Sequence, residues 1–324
     1  MAINIKSKIY LAGHTGMVGS AILRRLKYDG FENVIIQTHE ELDIINQNDT
    51  YEFFKINRPE YVIISAGKVG GIQANNHYRA QFLYENLMIQ NNLIHSAYLT
   101  GVKKLLLLGS SCIYPRNSQQ PIKEEYLLTG ELEQTNEPYA IAKIAGIKMC
   151  ENYFKQYGCN FISAMPTNLY GPGDNYDLNN SHVIPALLRK FHEAKINKNP
   201  EVEVWGTGTP KREFLYVDDL ADACLFLIKN LNASDLDENN ISHINVGCGT
   251  DLTISELATA IKGVVKYTGQ IKCDKTKPDG TPKKLLDISR IIQKGWKPST
   301  QLNEGLQKTY SWILQQKDLL ESWT

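Results

Sequence analysis

This chain of 324 residues predicts a doubly wound, parallel α/β sheet joined to a smaller, interleaved C-terminal α/β lobe. Three observations predict it. Short apolar runs alternate with helix-length segments through the first half, the order that builds βαβ units on a parallel sheet. The first apolar run leads into a glycine-rich turn, Gly13-His14-Thr15-Gly16-Met17-Val18-Gly19, that opens a helix. After Tyr170 the alternation gives way to turns rich in glycine and proline.

Taken in order, Ile9-Tyr10-Leu11-Ala12 reads as a buried strand and Met17 to Tyr28 as a helix. Asn33 to Thr38 follows as a strand, Asn48 to Lys55 as a helix, and Tyr61 to Ala66 as a strand. A helical stretch from about Tyr78 to Thr100 precedes the apolar strand Lys104 to Leu108. The next helix runs from Pro138 to about Tyr157, with Asn136 as its cap and Gly158 as its stop. Phe161 to Met165 is the strand after it. Beyond Tyr170, turns fall at Gly171-Pro172-Gly173-Asp174-Asn175, Gly206-Thr207-Gly208-Thr209-Pro210 and Pro278-Asp279-Gly280-Thr281-Pro282, and the polar run Asn230 to Asn240 reads as a surface loop. The chain is expected to return to the first sheet at about 217–246. Residues 1–170 plus about 217–246 would then form a Rossmann-type nucleotide-binding domain, and about 171–216 plus 247–324 the substrate lobe.

Hydrophobic content of 42% and charged content of 22% suit a globular protein. Lys+Arg and Asp+Glu are equal at 35 each, so no global field draws the chain to nucleic acid or an anionic membrane. Anion binding must come from a local cluster. The six cysteines have no CxxC or metal-type spacing, so no metal site is expected. Met1 to Lys8 is polar and basic, unlike a signal peptide, and no apolar run approaches the ~20 residues of a membrane span. A cytoplasmic location is the expectation.

The glycine turn carries the first chemistry. Glycines there permit a tight bend and let backbone N–H groups approach a pyrophosphate at the helix N-terminus. Strand, turn and helix occur in the required order, so Gly13 to Gly19 is assigned to a dinucleotide. The residues after the second strand ordinarily distinguish a ribose hydroxyl from a 2′-phosphate. Here they are Gln37-Thr38-His39-Glu40-Glu41, neither clearly acidic nor arginine-bearing. Asp43, a little further on, either meets the adenine ring or caps the helix near Asn46 to Asn48.

The second chemistry lies in Glu137-Pro138-Tyr139-Ala140-Ile141-Ala142-Lys143. Residues four apart share a helix face, which sets an ammonium beside a phenol. A phenol titrates near ~10, and a neighbouring cation should lower that value towards the useful range. Leu108 ends an apolar strand and Gly109-Ser110-Ser111-Cys112-Ile113-Tyr114-Pro115 follows. Carboxyl ends of such strands face the ligand crevice, so Ser110 and Cys112 should meet Tyr139 and Lys143.

A glycine turn, a Ser and a YxxxK in that order resemble the extended short-chain dehydrogenase/reductase family. Longer runs narrow the likeness to its GDP-L-fucose synthase branch: Ser65-Ala66-Gly67-Lys68-Val69-Gly70-Gly71-Ile72, the Ser110 and Tyr139 runs above, Pro166-Thr167-Asn168-Leu169-Tyr170-Gly171-Pro172, Asn180-Ser181-His182-Val183-Ile184-Pro185, and Lys211-Arg212-Glu213-Phe214-Leu215-Tyr216-Val217-Asp218-Asp219. The resemblance spans nearly the whole chain. It implies 3,5-epimerisation of GDP-4-keto-6-deoxy-D-mannose followed by reduction at C4 with NADP(H). In that scheme Cys112 and His182 move protons at C3 and C5, Tyr139 protonates the C4 oxygen, Ser110 donates to the same oxygen, and Lys143 holds the nicotinamide ribose. It also implies that Pro166, Thr167, Asn168, Leu169 and His182 line the nicotinamide site. Trp205, Arg212 and Asp279 would belong to the substrate pocket, with Lys190, Lys283 and Lys284 as further candidates to hold the diphosphate. A homodimer through the two long helices is expected.

Two departures stand out against bacterial relatives. Thr15 and His39 occupy places where arginines often grip the 2′-phosphate, so use of NADH beside NADPH is expected. Lys190 replaces an arginine, a point charge for a fork. The rival reading on the same fold is a nucleotide-sugar 4,6-dehydratase or 4-epimerase. A dehydratase needs an acid pair after the Ser, where this chain has Ser111-Cys112-Ile113. A 4-epimerase has no use for Cys112 and His182 as an acid/base pair. A non-catalytic Rossmann protein ordinarily loses the Tyr or the Lys, and both are present.

Overall fold

The computed structural model describes residues 3–178, 181–277 and 279–323. Asn180 and Pro278, each part of a run quoted above, lie outside the described residues. The first half folds as β1 (Ile9–Ala12), α1 (Met17–Tyr28), β2 (Val34–Ile35), α2 (Gln47–Asn57), β3 (Tyr61–Ile64), α3 (Ile72–His77), α4 (Arg79–Leu99), β4 (Lys104–Leu108), α5 (Glu137–Tyr157) and β5 (Phe161–Pro166). The second half adds β6 (Asn168–Tyr170), α6 (Val183–Ile196), β7 (Glu201–Trp205), β8 (Lys211–Arg212), β9 (Phe214–Tyr216), α7 (Val217–Asn230), α8 (Ala233–Glu238), β10 (Ile244–Val246), β11 (Leu252–Thr253), α9 (Ile254–Val265), β12 (Gln270–Asp274) and β13 (Lys283–Lys284).

Six strands form one parallel sheet in the order β10-β5-β4-β3-β1-β2. Successive strand residues point to opposite faces, and both faces are covered. Leu106 and Leu108 join Ile9, Leu11, Ile63 and Ile162 beneath α1 and α7. Leu105 and Leu107 join Tyr10, Val62 and Ile64 against Phe54 of α2 and Leu93 of α4. This is why β3 and β4 read as unbroken apolar runs. Each such Leu or Ile removed from water contributes about 1.5–3 kcal/mol, so the sheet sits at the most strongly stabilised part of the chain.

A third apolar cluster joins Tyr170 and Tyr176 to Leu188 and Phe191 of α6, Val202 and Val204 of β7, and Leu257 and Ile261 of α9. Around it lie the small pairings β7 with β12, β6 with β9, and β8 between β11 and β13. Leu286, Ile288, Ile291 and Trp296 pack instead in the first cluster, so the chain crosses back to the large sheet after β13.

Three local expectations are corrected. The strand expected over 33–38 is only Val34–Ile35, an edge strand paired with β1 alone and half-buried. The run 230–240 is not a plain loop. It holds α8, opened by a capping box in which Asn232 N–H donates to Asp235 Oδ2 at 2.7 Å, and it buries Leu236. Asn136 stands at the cap position of α5, yet its side chain accepts no cap hydrogen bond and its Oδ1 is buried without a partner. Gly158 does end α5, in the left-handed conformation at φ 71°.

Candidate active site

The carboxyl ends of β1, β4 and β5 deliver three groups of candidate residues to one edge of the sheet. At β1, Gly13 adopts φ +87°, and a Cβ there would lie 2.6 Å from Ala66 N. Gly19 is tighter still: its Cβ would stand 2.0 Å from Gly13 O. Only glycines let α1 start so close beneath the turn. The first turn of α1 carries no acidic side chain, and Gly16 at its cap makes no side-chain bond. Free N–H groups at a helix start attract an anion. His14 Nδ1 is buried there without a partner, and Thr15 is exposed. Met17 and Val18 are half-buried in the first turn. Such a cradle fits a dinucleotide pyrophosphate.

After β2, His39 and Asp43 are exposed and stand 3.8 Å apart. Of the two readings of Asp43, the helix cap is corrected. Asn46 takes that place, accepting from Asn48 N–H at 3.0 Å and Asp49 N–H at 3.3 Å. Asp43 Oδ1 instead accepts from Ile45 N–H within the preceding turn.

At β4, Gly109 lies so close to Met165 that a Cβ would meet its sulfur at 2.3 Å. The following turn, Ser111–Ile113, is capped by Ser110, whose Oγ accepts from Cys112 N–H at 3.5 Å. Cys112 is buried. Burial raises its thiol above the ordinary value, opposed by the positive charges of Lys284 and Lys143 and by the Ser110 hydroxyl. Lys143, buried on α5, donates to the Leu108 carbonyl at 3.1 Å and stands 5.8 Å from the Tyr139 ring centre. Tyr139 meets Phe82 edge-on at 6.3 Å.

One expectation fails here. The ammonium was expected to lower the Tyr139 phenol, but burial raises it well above its ordinary value, aided by the Cys112 sulfur. The same burial brings Lys143 down to about 8. Taking either charge out of water costs more than their mutual effect returns. Tyr139 is therefore a phenol at neutral pH, the form that can give a proton away.

β5 ends in Pro166, which pairs with Val246. Thr167 N–H donates to the Val246 carbonyl at 2.9 Å, while Asn168 Nδ2 reaches the Glu213 carbonyl at 2.9 Å. Leu169 continues β6 opposite Leu215. His182 arrives from the other lobe, at the N-cap of α6 with no side-chain cap bond. The residue is exposed, yet loss of solvation from the protein around its imidazole lowers the pKa. Among the described residues, no hydrogen bond joins His182 to Cys112 or Tyr139.

One further cation, Lys284, acts on Cys112. β13 pairs with β8 so that Lys284 lies opposite Arg212. Burial lowers both, with Cys112 supporting the charge on Lys284 and Asp279 that on Arg212. A Cβ on Gly280 would meet Arg212 Nη2 at 2.8 Å, so the 279–280 backbone runs against the guanidinium. Asp279 itself accepts from Thr207 N–H at 2.9 Å and Thr207 Oγ1 at 2.7 Å. Trp205 is 48% exposed, with Lys190 and Lys277 ammoniums 5.1 and 5.5 Å from its ring centre. Burial lowers Lys190, whose Nζ donates to the Glu203 carbonyl at 3.2 Å. Trp205 is thus available to a ligand and does not fill a core.

Asn86 was missed in the sequence. Buried on α4, it accepts from Lys68 N–H and donates to the Lys68 carbonyl, both at 3.0 Å, fixing the segment beside Lys143. The one available signal was a polar residue interrupting the apolar Phe82–Ile89–Leu93 face.

A sequence profile described as "NAD dependent epimerase/dehydratase family" matches residues 9–247. The chain belongs to this family. A GDP-L-fucose synthase from Arabidopsis thaliana is 56% identical over 308 residues, 95% of this chain and 93% of the relative. One from Escherichia coli strain K12 is 52% identical over 315 residues, 97% and 98% of the two chains. Among solved structures, a GDP-mannoheptose C4 reductase from Campylobacter jejuni with NADP bound superposes with a TM-score of 0.90 at 42% identity, covering 96% of this chain and 99% of that one. This epimerase/dehydratase chain has the parallel sheet predicted for it, built of six strands, and no helix among its described residues is long and apolar enough to cross a membrane.

Proposed function

We propose that this protein converts GDP-4-keto-6-deoxy-D-mannose to GDP-L-fucose, inverting C3 and C5 and then reducing the C4 ketone with NADPH. One observation carries the reading: a buried thiol, Cys112, lies near enough to Lys143 and Lys284 to feel both charges and to act on the Tyr139 phenol, and Lys284 pairs in register with Arg212. A plain ketone reductase needs the phenol and the lysine but not the thiol. The names of the plant and bacterial relatives point the same way.

The glycine turn from Gly13 to Gly19 would hold NADPH, whose chemistry when bound would be to supply a hydride for C4. The chain's own residues do the rest. Ser110 donates to the C4 oxygen, which carries negative charge both in the enolate of the epimerisation steps and in the alkoxide of reduction. Cys112 and His182 take and return the protons at C3 and C5. Tyr139, held protonated by its burial, gives its proton to the alkoxide. Lys143, whose position is fixed by Leu108, holds the nicotinamide ribose. Thr167 and Asn168 line the nicotinamide, and Arg212, Lys284 and Lys190 take the diphosphate, with Trp205 stacking on the ligand. Because neither Thr15 nor His39 offers a guanidinium fork, NADH should also be accepted.

The reading extends to the protein's organisation. Residues 1–170 with about 217–246 form the coenzyme domain, joined by the stretch that carries Leu286, Ile288, Ile291 and Trp296 into its core, and the rest forms the sugar-nucleotide lobe. The protein is a cytoplasmic homodimer joined through α4 and α5, whose outer faces expose Tyr84, Leu99, Ile141 and Tyr157. Six free thiols suit a reducing compartment.

The test is product analysis by NMR after incubation with the 4-keto sugar and NADPH in heavy water. GDP-L-fucose carrying deuterium at C3 and C5 is the expected product. A reduced sugar that kept its original C3 and C5 configuration would leave a C4 reductase, the activity named for the Campylobacter neighbour. Turnover of GDP-mannose or UDP-galactose without added coenzyme would instead favour the dehydratase or 4-epimerase reading.

A further inference from the structure

Glu213 follows Arg212 where β8 gives way to β9, and it has no solvent exposure. A carboxyl group so placed is costly unless hydrogen bonds compensate. Three backbone donors converge on it. Cys248 N–H and Gly249 N–H each donate to Oε1 at 2.7 Å, and Leu286 N–H donates to Oε2 at 3.0 Å. The main chain of the same residue carries further ties. Its carbonyl accepts from Thr167 Oγ1 at 3.3 Å and Asn168 Nδ2 at 2.9 Å, and its N–H donates to the Lys284 carbonyl at 3.3 Å. There is no slack around the carboxyl group: a Cβ on Gly247 would stand 2.3 Å from Oε1.

These bonds tie together segments that bear on two different ligands. Thr167 and Asn168 belong to the coenzyme side, whereas Arg212 and Lys284 flank Glu213 on the sugar-nucleotide side. We propose that Glu213 is a positioning residue, holding the Arg212 and Lys284 strands in register with the Thr167–Asn168 segment so that diphosphate affinity depends on its carboxylate. The inference rests on the pocket assigned under Proposed function.

An acceptor at both oxygens is what the site demands. In Glu213→Gln one end becomes a donor. The amide would keep Cys248 and Gly249 on its oxygen and turn its NH2 towards Leu286 N–H. Two donors then oppose each other, and the segment just after Lys284 is pushed away. Backbone ties to Thr167 and Asn168 are unchanged, so the sugar-nucleotide side should suffer more than the coenzyme side.

The experiment measures GDP binding by calorimetry and NADPH binding by fluorescence in the unaltered protein, in Glu213→Gln and in Gly247→Ala, which crowds Oε1 without altering charge. Both variants should bind GDP on the order of tenfold more weakly and NADPH within a few-fold of normal, with KM for the keto sugar raised and kcat little changed. A folded variant with normal GDP affinity overturns the proposal. In the unaltered protein, GDP should also slow hydrogen exchange at the amides of Cys248, Gly249 and Leu286; no change there overturns it whether or not the variants fold. Failure of the unaltered protein to bind GDP or NADPH would count against the proposed function instead.

Discussion

Lys143 should make the coenzyme-free protein less stable at neutral pH. Its ammonium is buried, donates one hydrogen bond to Leu108, and has its pKa reduced by burial from 10.5 to about 8. A base with a lowered folded pKa destabilises the fold while it is charged, and that cost fades as pH rises through the folded value. Between about pH 8 and 10.5 the unfolded chain binds the extra proton, so stability climbs with pH there. At ~1.36 kcal/mol per pH unit, the full cost below pH 8 is about 3 kcal/mol. By about pH 9.5 roughly 2 kcal/mol of it is recovered. Lys143→Met removes the charge and also leaves the Leu108 carbonyl without that donor, a loss of about 1 kcal/mol. The variant should thus be about 2 kcal/mol more stable than the unaltered protein at about pH 7, and the gap should close by about pH 9.5. Urea unfolding of both proteins at the two pH values measures it, and the difference between them cancels the titrations of groups that do not feel Lys143, such as Lys104 and the Cys150 and Cys224 thiols. A variant less stable than its parent at neutral pH, or a gap unchanged by pH, would refute the reasoning. Loss of stability for the sake of a buried functional charge is a familiar trade.

Other outcomes follow from the same site. Tyr139→Phe should abolish reduction while deuterium exchange at C3 and C5 stays measurable, and Cys112→Ser should do the reverse, slowing exchange by roughly 10²–10⁴-fold; parallel loss of both activities in each variant would show that the roles are not separate. Because burial raises the Cys112 thiol, its alkylation should be slow at neutral pH and accelerate as pH passes the ordinary thiol value, read peptide by peptide in a mass spectrometer; rapid labelling at neutral pH would mean a thiolate. Gly19→Ala drives a methyl group into Gly13 O and should cost NADPH affinity far more than GDP affinity, measured by titration. Asn46→Ala removes the acceptor for two N–H groups of α2 and should cost about 1 kcal/mol in urea unfolding.

Much of the sheet was legible because strand periodicity and apolar content are local. Met17–Tyr28 and Lys104–Leu108 have the bounds read from the residues. Elements that lean on neighbours were harder to read. The length of β2 depends on pairing with β1 alone, and α8 is held by one capping box and two buried apolar residues inside a polar run. In the site, the cap of α2 was uncertain because Asp43 and Asn46 both have cap chemistry, and only the backbone direction distinguishes them.

By itself the sequence determined what adjacent residues can settle. The spacing of Tyr139 and Lys143 on one helix, the glycines beneath α1, and the Ser–Cys turn after β4 all follow from backbone geometry within a few residues. Tertiary structure decided the charges and the anchors. The Tyr139 phenol moved up instead of down because desolvation depends on everything packed around a group, while spacing reveals a single neighbour. Asn86 and Glu213 act on partners 18 to 73 residues away, a distance over which only the folded chain brings donor and acceptor together.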